Sequence, residues 1–208
     1  MAELLCNQQP LRSIPNHVLL ILGAGPRIGV SVAEKFASNG YKSHCCVYEW
    51  EWHQEGFLSL MPIPAVFDAR FTCPSVVLYN AAALTHPPDK KSILSISAES
   101  VALYPYVAAQ QALSGWKTLP KETKKTYIYT GNIMNVSIVP IPLTLDLGMG
   151  KSASAFWIGL ADAIYSLGPG VSRHGDGKLK VMALDGTAHG EFYAQLANHE
   201  ENGYVQFK

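Results

Sequence analysis

The chain has 208 residues, of which 48% are apolar and 15% are charged, and its 16 basic residues balance 16 acidic ones. This composition excludes a disordered chain. A formal net charge of zero gives no electrostatic signature of binding to nucleic acid or to an anionic membrane. The length suits a single domain over 1–208, and the first apolar run is too short to span a membrane, so we expect a cytoplasmic protein.

Apolar runs of strand length alternate with segments of helical period. The first run, "NHVLLILGAG" (16–25), is continuously apolar and ends in glycines, which is typical of a strand buried on both faces. The segment 27–40 has apolar residues at helical spacing and ends at Gly40, a good helix terminator. Further strands are predicted at 41–49, 75–83, 124–132, 178–186 and 203–207, and further helices at 98–116, 151–168 and 188–200.

This alternation predicts an α/β fold, a doubly wound and mainly parallel Rossmann-like sheet with helices on both faces. The first strand should lie in the interior of the sheet. Pro105 predicts a kink or a late start in helix 98–116, and "GPGVS" (168–172) predicts a helix stop. The irregular stretch 50–73 allows a strand near Phe57–Met61 and a short helix near Ala65–Phe71.

Cysteines and histidines show no ligand spacing. Cys6, Cys45, Cys46 and Cys73 match no disulfide or metal motif, and the adjacent Cys45 and Cys46 are expected to act as small hydrophobes in a buried strand. The seven histidines form no metal-binding pattern either. We therefore predict no metal site.

The glycine turn "GAGPRIG" (23–29) joins the first strand to the first helix. Gly23 permits a tight turn, Gly25 lets the backbone approach a pyrophosphate, and Gly29 lets the helix pack closely on the strand. The N-terminus of the helix then offers N–H groups and positive potential to an anion. The spacing favours a dinucleotide site, although it is one residue longer than the usual fingerprint.

Together with this turn, three later segments resemble motifs of the short-chain dehydrogenase/reductases, in particular members with a GAGP-type loop. "YNAAA" (79–83) is similar to the family's N-A-G motif, "YTGN" (129–132) occupies the place of its catalytic serine segment, and Lys151 matches the lysine of its Y-x-x-x-K pair. The resemblance covers roughly 16–168. It implies a cofactor, NADP or NAD, and a small-molecule substrate.

The resemblance assigns site residues one by one. Arg27, in place of the usual middle glycine, is positioned to reach a phosphate, and Lys151 would bind the nicotinamide ribose. The implied catalytic residues are Lys151, Thr130 and Asn132, and the implied cofactor-binding residues are Gly23, Gly25, Arg27, Ile28, Gly29, Asn80, Ala81 and Ala82.

The chain departs from the family pattern where chemistry is expected. Leu147 stands four residues before Lys151, where the family has the tyrosine that protonates the carbonyl oxygen. Substitute acids are Tyr129, Tyr127, Asp146 and Tyr104. At the end of the second strand, Val47 and Tyr48 stand where a carboxylate commonly binds the adenosine ribose, with Glu49 as the nearest acid, so poor selectivity between NADH and NADPH is expected.

Structural explanations compete with the functional ones. A lysine at a helix N-terminus can extend to water along its aliphatic stem, and Gly131-Asn132 is a good turn pair. Tyr127 and Tyr129 share one strand face and can simply pack against a helix. These alternatives stay open at this point.

Three functions fit the sequence. The first is an NAD(P)-dependent reductase of a small carbonyl or enone, with a non-standard proton donor. The second is a non-redox cyclase, isomerase or dehydratase on the same fold, and the third is a catalytically silent binding protein that needs no cofactor. Helix 151–168 is apolar nearly all round, which predicts a homo-oligomer, most simply a homodimer paired through that helix.

Overall fold

The structure is a computed structural model that describes most of the region from the first strand to the last helix. The described residues are 17–46, 73–82, 84, 86–89, 91–96, 104–165, 172–174, 185–198 and 205–207. The predictions for Val47, Tyr48 and Glu49, for Phe57–Met61 and Ala65–Phe71, and for most of the strand at 178–186 lie outside the described residues.

A parallel sheet of four strands forms around the first apolar run. All five residues of β1 (Val18–Leu22) are buried, and β1 pairs in parallel with a strand on each side. The order is β2-β1-β3-β4, so the predicted interior position of the first strand is confirmed. The other strands are β2 (Lys42–Cys46), β3 (Val76–Tyr79), β4 (Thr126–Tyr129), and a separate parallel pair, β5 (Ser172–His174) and β6 (Val205–Phe207).

Helices cover both faces of this sheet. They are α1 (Ile28–Ser38), α2 (Tyr104–Trp116), α3 (Leu145–Tyr165) and α4 (Gly186–Asn198). Leu19 and Ile21 of β1 pack in one buried cluster with α1 and α4. Leu20 and Leu22, which point the opposite way, pack in a second cluster with α2 and α3. The doubly wound α/β fold is therefore confirmed.

Helix α3 begins at Leu145, so the prediction that Lys151 opens this helix is wrong. Gly148 and Gly150 each disfavour a helix by about 1 kcal/mol relative to alanine, but tertiary packing supports the added turns. Ser152 Oγ donates a hydrogen bond to the Met134 carbonyl at 2.9 Å, which fixes α3 against the 3₁₀ helix Ile133–Asn135.

Three further predictions need correction. First, no strand was predicted at 172–174, where the structure has β5. This strand has only three residues, which is too short for an alternating pattern to be recognised. Helix α4 begins at Gly186 rather than at 188, because the Asp185 carboxylate caps the amides of Thr187 and Ala188. Cys45 is exposed rather than buried, because β2 is an edge strand of the four-stranded sheet.

Two other features bear on the sequence predictions. Pro105 stands second in α2, where its missing N–H does not interrupt the helix. None of the helices in the described part of the chain is both long enough and apolar enough to cross a membrane.

Two neighbouring glycines provide a test of the turn. Gly23 has φ +89°, and a Cβ there would lie 2.5 Å from the Ala81 nitrogen, whereas a Cβ on Gly25 would meet nothing within 4 Å. We expect Gly23→Ala to lower the free energy of unfolding by about 2–4 kcal/mol, and Gly25→Ala to change it by less than about 0.5 kcal/mol. Urea denaturation of both variants measures this, and equal midpoints would contradict the turn geometry.

Candidate functional site

The carboxyl ends of β1, β3 and β4 are joined by hydrogen bonds. The Asn80 backbone amide donates to the Leu22 carbonyl at 2.8 Å, and its side-chain Nδ2 donates to the Gly23 carbonyl at 2.9 Å. The Thr130 amide donates to the Tyr79 carbonyl at 3.0 Å. These bonds bring the glycine turn, "YNAAA" and "YTGN" to one edge of the sheet, where doubly wound folds place ligands.

The glycine turn is compact at both ends and open in the middle. Gly23 packs directly against the Ala81 backbone, and a Cβ on Gly29 would lie 2.6 Å from Ala24 Cα. Only Gly25, between them, has open space where a side chain would be. This geometry fits a pyrophosphate lying against the Gly25 backbone.

The residues that flank the turn have different exposures. Arg27 is exposed at the N-cap of α1, whose first turn holds no acidic residue, and Ile28 is partly buried against the core. Ala81 is partly buried and Ala82 is exposed beyond the end of β3. An anion at Gly25 would therefore meet the positive end of α1 and no opposing carboxylate from its first turn.

Lys151 is buried at the same edge of the sheet, in the second turn of α3. Its side chain is 4% exposed, and its Nζ donates a hydrogen bond to the Thr130 carbonyl at 2.6 Å. The ammonium also lies 4.6 Å from the centre of the Tyr129 ring. Lys151 and Thr130, both implied as catalytic residues, are thus in contact, and the alternative in which Lys151 extends to water is wrong.

The ammonium group of Lys151 is shielded from water, and this desolvation changes its pKa. Burial lowers its pKa from an ordinary 10.5 to about 8. The ion pair between Lys35 and Glu191, at 2.6 Å, lies on the far side of the sheet from Lys151. The carboxylate of Asp146, on the same helix as Lys151, accepts a hydrogen bond from the Leu147 amide at 2.7 Å. Lys151 is therefore a buried cation held by a carbonyl dipole and an aromatic face.

Two of the phenols proposed as substitute acids, those of Tyr129 and Tyr127, have hydrogen-bond partners other than Lys151. Burial raises the pKa of Tyr129 to about 12, and the hydrogen bond of its hydroxyl to Ser154 lowers it only partly. Lys151 faces the ring of Tyr129, not its hydroxyl. The Tyr127 hydroxyl donates to the Pro105 carbonyl at 2.7 Å. As expected from their shared strand face, both rings lie on the α2 and α3 side of the sheet.

Thr130 and Asn132 are engaged in different ways. The Thr130 hydroxyl pairs with the hydroxyl of Tyr193 at 2.9 Å, and burial raises the pKa of Tyr193 to about 12. Asn132 Oδ1 accepts from the Met134 amide at 2.9 Å, so this side chain caps the 3₁₀ helix that follows. Tyr193 was missed by sequence reasoning, because a tyrosine at helical spacing in α4 looks like any core residue.

A cavity of about 540 Å³ lies beside the first turns of α3. Ser152, the residue after Lys151, contributes to its wall. Nothing in the sequence analysis predicted this cavity. Most of the lining is apolar: Met134, Ile138, Val139, Pro140, Ile141, Pro142, Leu145 and Met149, with Ser137, Thr144, Gly148 and Ser152.

Comparison with known proteins identifies the class to which this fold and site belong. No family model matches the chain. The short chain dehydrogenase/reductase dmxR12 of Cryptosporiopsis sp. (strain 8999) is 30% identical to this chain. The match covers 89% of this chain and 88% of that protein. The chain therefore belongs to the short-chain dehydrogenase/reductase family.

Solved structures show the same fold at low sequence identity. An oxidoreductase of this family from Burkholderia thailandensis has a TM-score of 0.66 at 13% identity, covering 92% of this chain and 91% of that chain. One from Brucella ovis has a TM-score of 0.65 at 12% identity, covering 93% and 100%. Another Brucella ovis structure, in complex with a partially ordered NAD, has a TM-score of 0.60 at 11% identity, covering 93% and 100%.

The burial of Lys151 predicts a specific pH dependence of stability. Because its pKa is lowered in the folded state, the unfolded chain binds more protons between about pH 8 and 10.5, and stability rises with pH across that window. Lys151→Met removes this effect, so the wild type should gain roughly 3 kcal/mol relative to the variant between pH 7 and 10.5. Urea denaturation across this range measures the gain.

The matched control is Lys124→Met. Lys124 also donates to a backbone carbonyl, that of Asn198, but it is exposed. Removal of this exposed cation should not reproduce the gain in stability with pH that is expected for Lys151. A pH-independent difference for Lys151→Met would contradict the burial of the cation.

Proposed function

We propose that the protein is an NAD(P)-dependent reductase of a small carbonyl or enone metabolite, whose proton donor is not a tyrosine at position 147. The observation that carries the proposal is the hydrogen-bonded edge of the sheet. It links the open glycine turn to a buried lysine through Asn80 and Thr130. Membership of a dehydrogenase/reductase family supports the same chemistry.

The chain's own residues fit a dinucleotide, NADP or NAD. The pyrophosphate would lie against Gly25 at the start of α1, with Arg27 close to its charge. The ends of β3, at Asn80, Ala81 and Ala82, would form the floor between the two halves of the cofactor. When bound in reduced form, this group would supply the hydride. Lys151, with Thr130 and Asn132, would line the reacting end.

The cavity beside α3 supports an apolar, uncharged substrate. The described residues of its lining include no charged side chain and expose methionine, proline and branched aliphatic side chains. Small-molecule sites of this size are mostly apolar, with a few polar groups that fix orientation. In this proposal the carbonyl end of the substrate lies toward Lys151 and the apolar body lies along Met149 and the loop that precedes α3.

Leu147 favours one competing function. With no phenol one turn before Lys151, the same lysine could polarise a carbonyl in a cyclase, isomerase or dehydratase. A catalytically silent binding protein would lack turnover altogether. Both alternatives differ from the reductase in what they bind, because neither requires a reduced dinucleotide.

Thermal denaturation with NADPH and with NADH tests the reductase proposal. A ligand that binds only the folded state adds about 2.7 kcal/mol at a hundred times its Kd. We expect this stabilisation with one or both dinucleotides. No shift with either would contradict the proposal and leave the non-redox alternatives.

Gly25→Ala locates the binding site in the same experiment. The methyl group would fill the space assigned to the pyrophosphate, so the shift should be lost although the fold is unchanged. Gly150→Ala is the matched control, because a Cβ there is equally free of contacts but lies in α3. Equal shifts in both variants would place the dinucleotide elsewhere.

We also propose a homodimer paired through α3. Phe156 is 70% exposed and Leu160 is 47% exposed on one side of this helix, and a partner covering them would remove an apolar patch from water. The single domain over 1–208 and the cytoplasmic location remain predictions from the sequence.

Sedimentation velocity at micromolar concentration tests the dimer. The wild type should sediment as a dimer and Phe156→Glu as a monomer, because a charge at the centre of an apolar interface is costly to bury. Leu94→Glu, an equally exposed position on a separate 3₁₀ helix, should stay dimeric. A monomeric wild type would refute this pairing.

A further inference from the structure

Reduction of a carbonyl requires a proton as well as a hydride, and the described site offers few groups that can give one. We propose that the ammonium group of Lys151 is itself the general acid that protonates the substrate oxygen. This inference rests on the proposed reductase function and names the proton donor that the function leaves open.

Three other candidate acids around Lys151 have different hydrogen-bond partners. The Tyr129 hydroxyl bonds to Ser154, and the Tyr127 hydroxyl donates to the Pro105 carbonyl. Tyr193 is fully buried on the opposite face of the sheet and pairs with the Thr130 hydroxyl. The ring of Tyr104 packs against the cluster under α2 and α3.

Lys151 has the donors that the step needs. An ammonium group carries three N–H bonds, and one of them is directed to the Thr130 carbonyl at 2.6 Å. The Tyr129 ring, 4.6 Å away, stabilises the cation without accepting its proton. The remaining donors are enough for a cofactor hydroxyl and a substrate oxygen at once.

Leu147 determines which group reaches the substrate. It lies one turn before Lys151 on the same side of α3, because residues at i and i+4 share a helix face. The side chain of leucine is shorter than that of tyrosine and carries no hydroxyl group, so it cannot donate a proton. The shorter side chain therefore leaves no phenol one turn before Lys151 on this face.

The proposed step is balanced. When bound, a reduced nicotinamide would supply the hydride for the carbonyl carbon and would be left oxidised, and the carbonyl π electrons would move to the oxygen. As the new O–H bond forms, one N–H bond of Lys151 breaks, and the lysine is left as a neutral amine. Water then returns a proton to the amine before the next turnover.

The surroundings favour an acid that works near neutral pH. The titratable group in contact with Lys151 is Tyr129 on β4, whose ring centre lies 4.6 Å from Nζ. Tyr193 lies beyond Thr130 on the other face of the sheet, and the carboxylate of Asp146, on the same helix as Lys151, accepts a hydrogen bond from the Leu147 amide. Both tyrosine pKa values are raised to about 12, so neither titrates in the working range. Desolvation lowers the pKa of Lys151 to about 8, close to the value at which a general acid is most effective.

The first test needs neither substrate nor cofactor. In protein labelled with ¹³C at lysine Cε, the resonance that disappears in Lys151→Met is assigned to Lys151, and its shift is followed with pH. We expect a midpoint near 8, whereas an unperturbed lysine side chain titrates near 10.4. A midpoint for Lys151 above about 10 would overturn the proposal.

The second test is chemical rescue of Lys151→Ala. Reduction of 4-nitrobenzaldehyde by the dinucleotide that stabilises the protein should fall at least about 100-fold in the variant. Added trimethylamine, a tertiary amine that cannot condense with the aldehyde, should restore part of the rate, and more acidic tertiary amines should restore more. A purely structural lysine would not produce this dependence on amine acidity, so an absence of rescue would overturn the proposal.

Two variants serve as controls. Lys124→Ala should keep full activity and show no response to amines. Tyr104→Phe should also keep its activity, and a loss there with Lys151→Ala still active would assign the proton to Tyr104 instead. Failure of the reductase proposal is recognised separately, because neither dinucleotide would then stabilise the wild type.

Discussion

The hydrogen bonds between the ends of β1, β3 and β4 are the constraint on which the site depends. The Asn80 side chain holds the Gly23 carbonyl, the Thr130 amide holds the Tyr79 carbonyl, and the Thr130 carbonyl holds Lys151. Each group is paired where the sheet ends, as buried backbone requires. A turn that can bind an anion and a buried cation are thereby fixed relative to each other before any ligand arrives.

The burial of Lys151 carries a stability cost that the fold accepts. Removing an ammonium from water costs several kcal/mol, and a single carbonyl with an aromatic face offsets only part of it. The part of the desolvation cost that is not offset lowers the pKa of Lys151. A helix of small and apolar residues could have avoided the cost with a methionine, so retention of the lysine agrees with a chemical role at this position.

Much of the fold could be predicted from the sequence. For the site, the sequence predicted the glycine turn and Lys151 but not every residue around them, and not the cavity. The apolar run of β1 and the glycine turn predicted a buried central strand and a compact loop, because both depend on local steric and burial rules. The start of α3 was missed, since Gly148 and Gly150 are poor helix formers whose turns are stabilised by distant contacts with Met134. Tyr193 and the cavity beside α3 were also missed, because they depend on packing between segments far apart in the chain.

A crystal structure of the complex with NADPH tests the central claim most directly. The account predicts the pyrophosphate against Gly25 at the start of α1, and the nicotinamide ribose within hydrogen-bonding distance of Lys151 Nζ, with that nitrogen still bonded to the Thr130 carbonyl. A dinucleotide bound away from the glycine turn, or a Lys151 side chain turned away from the bound cofactor, would contradict it.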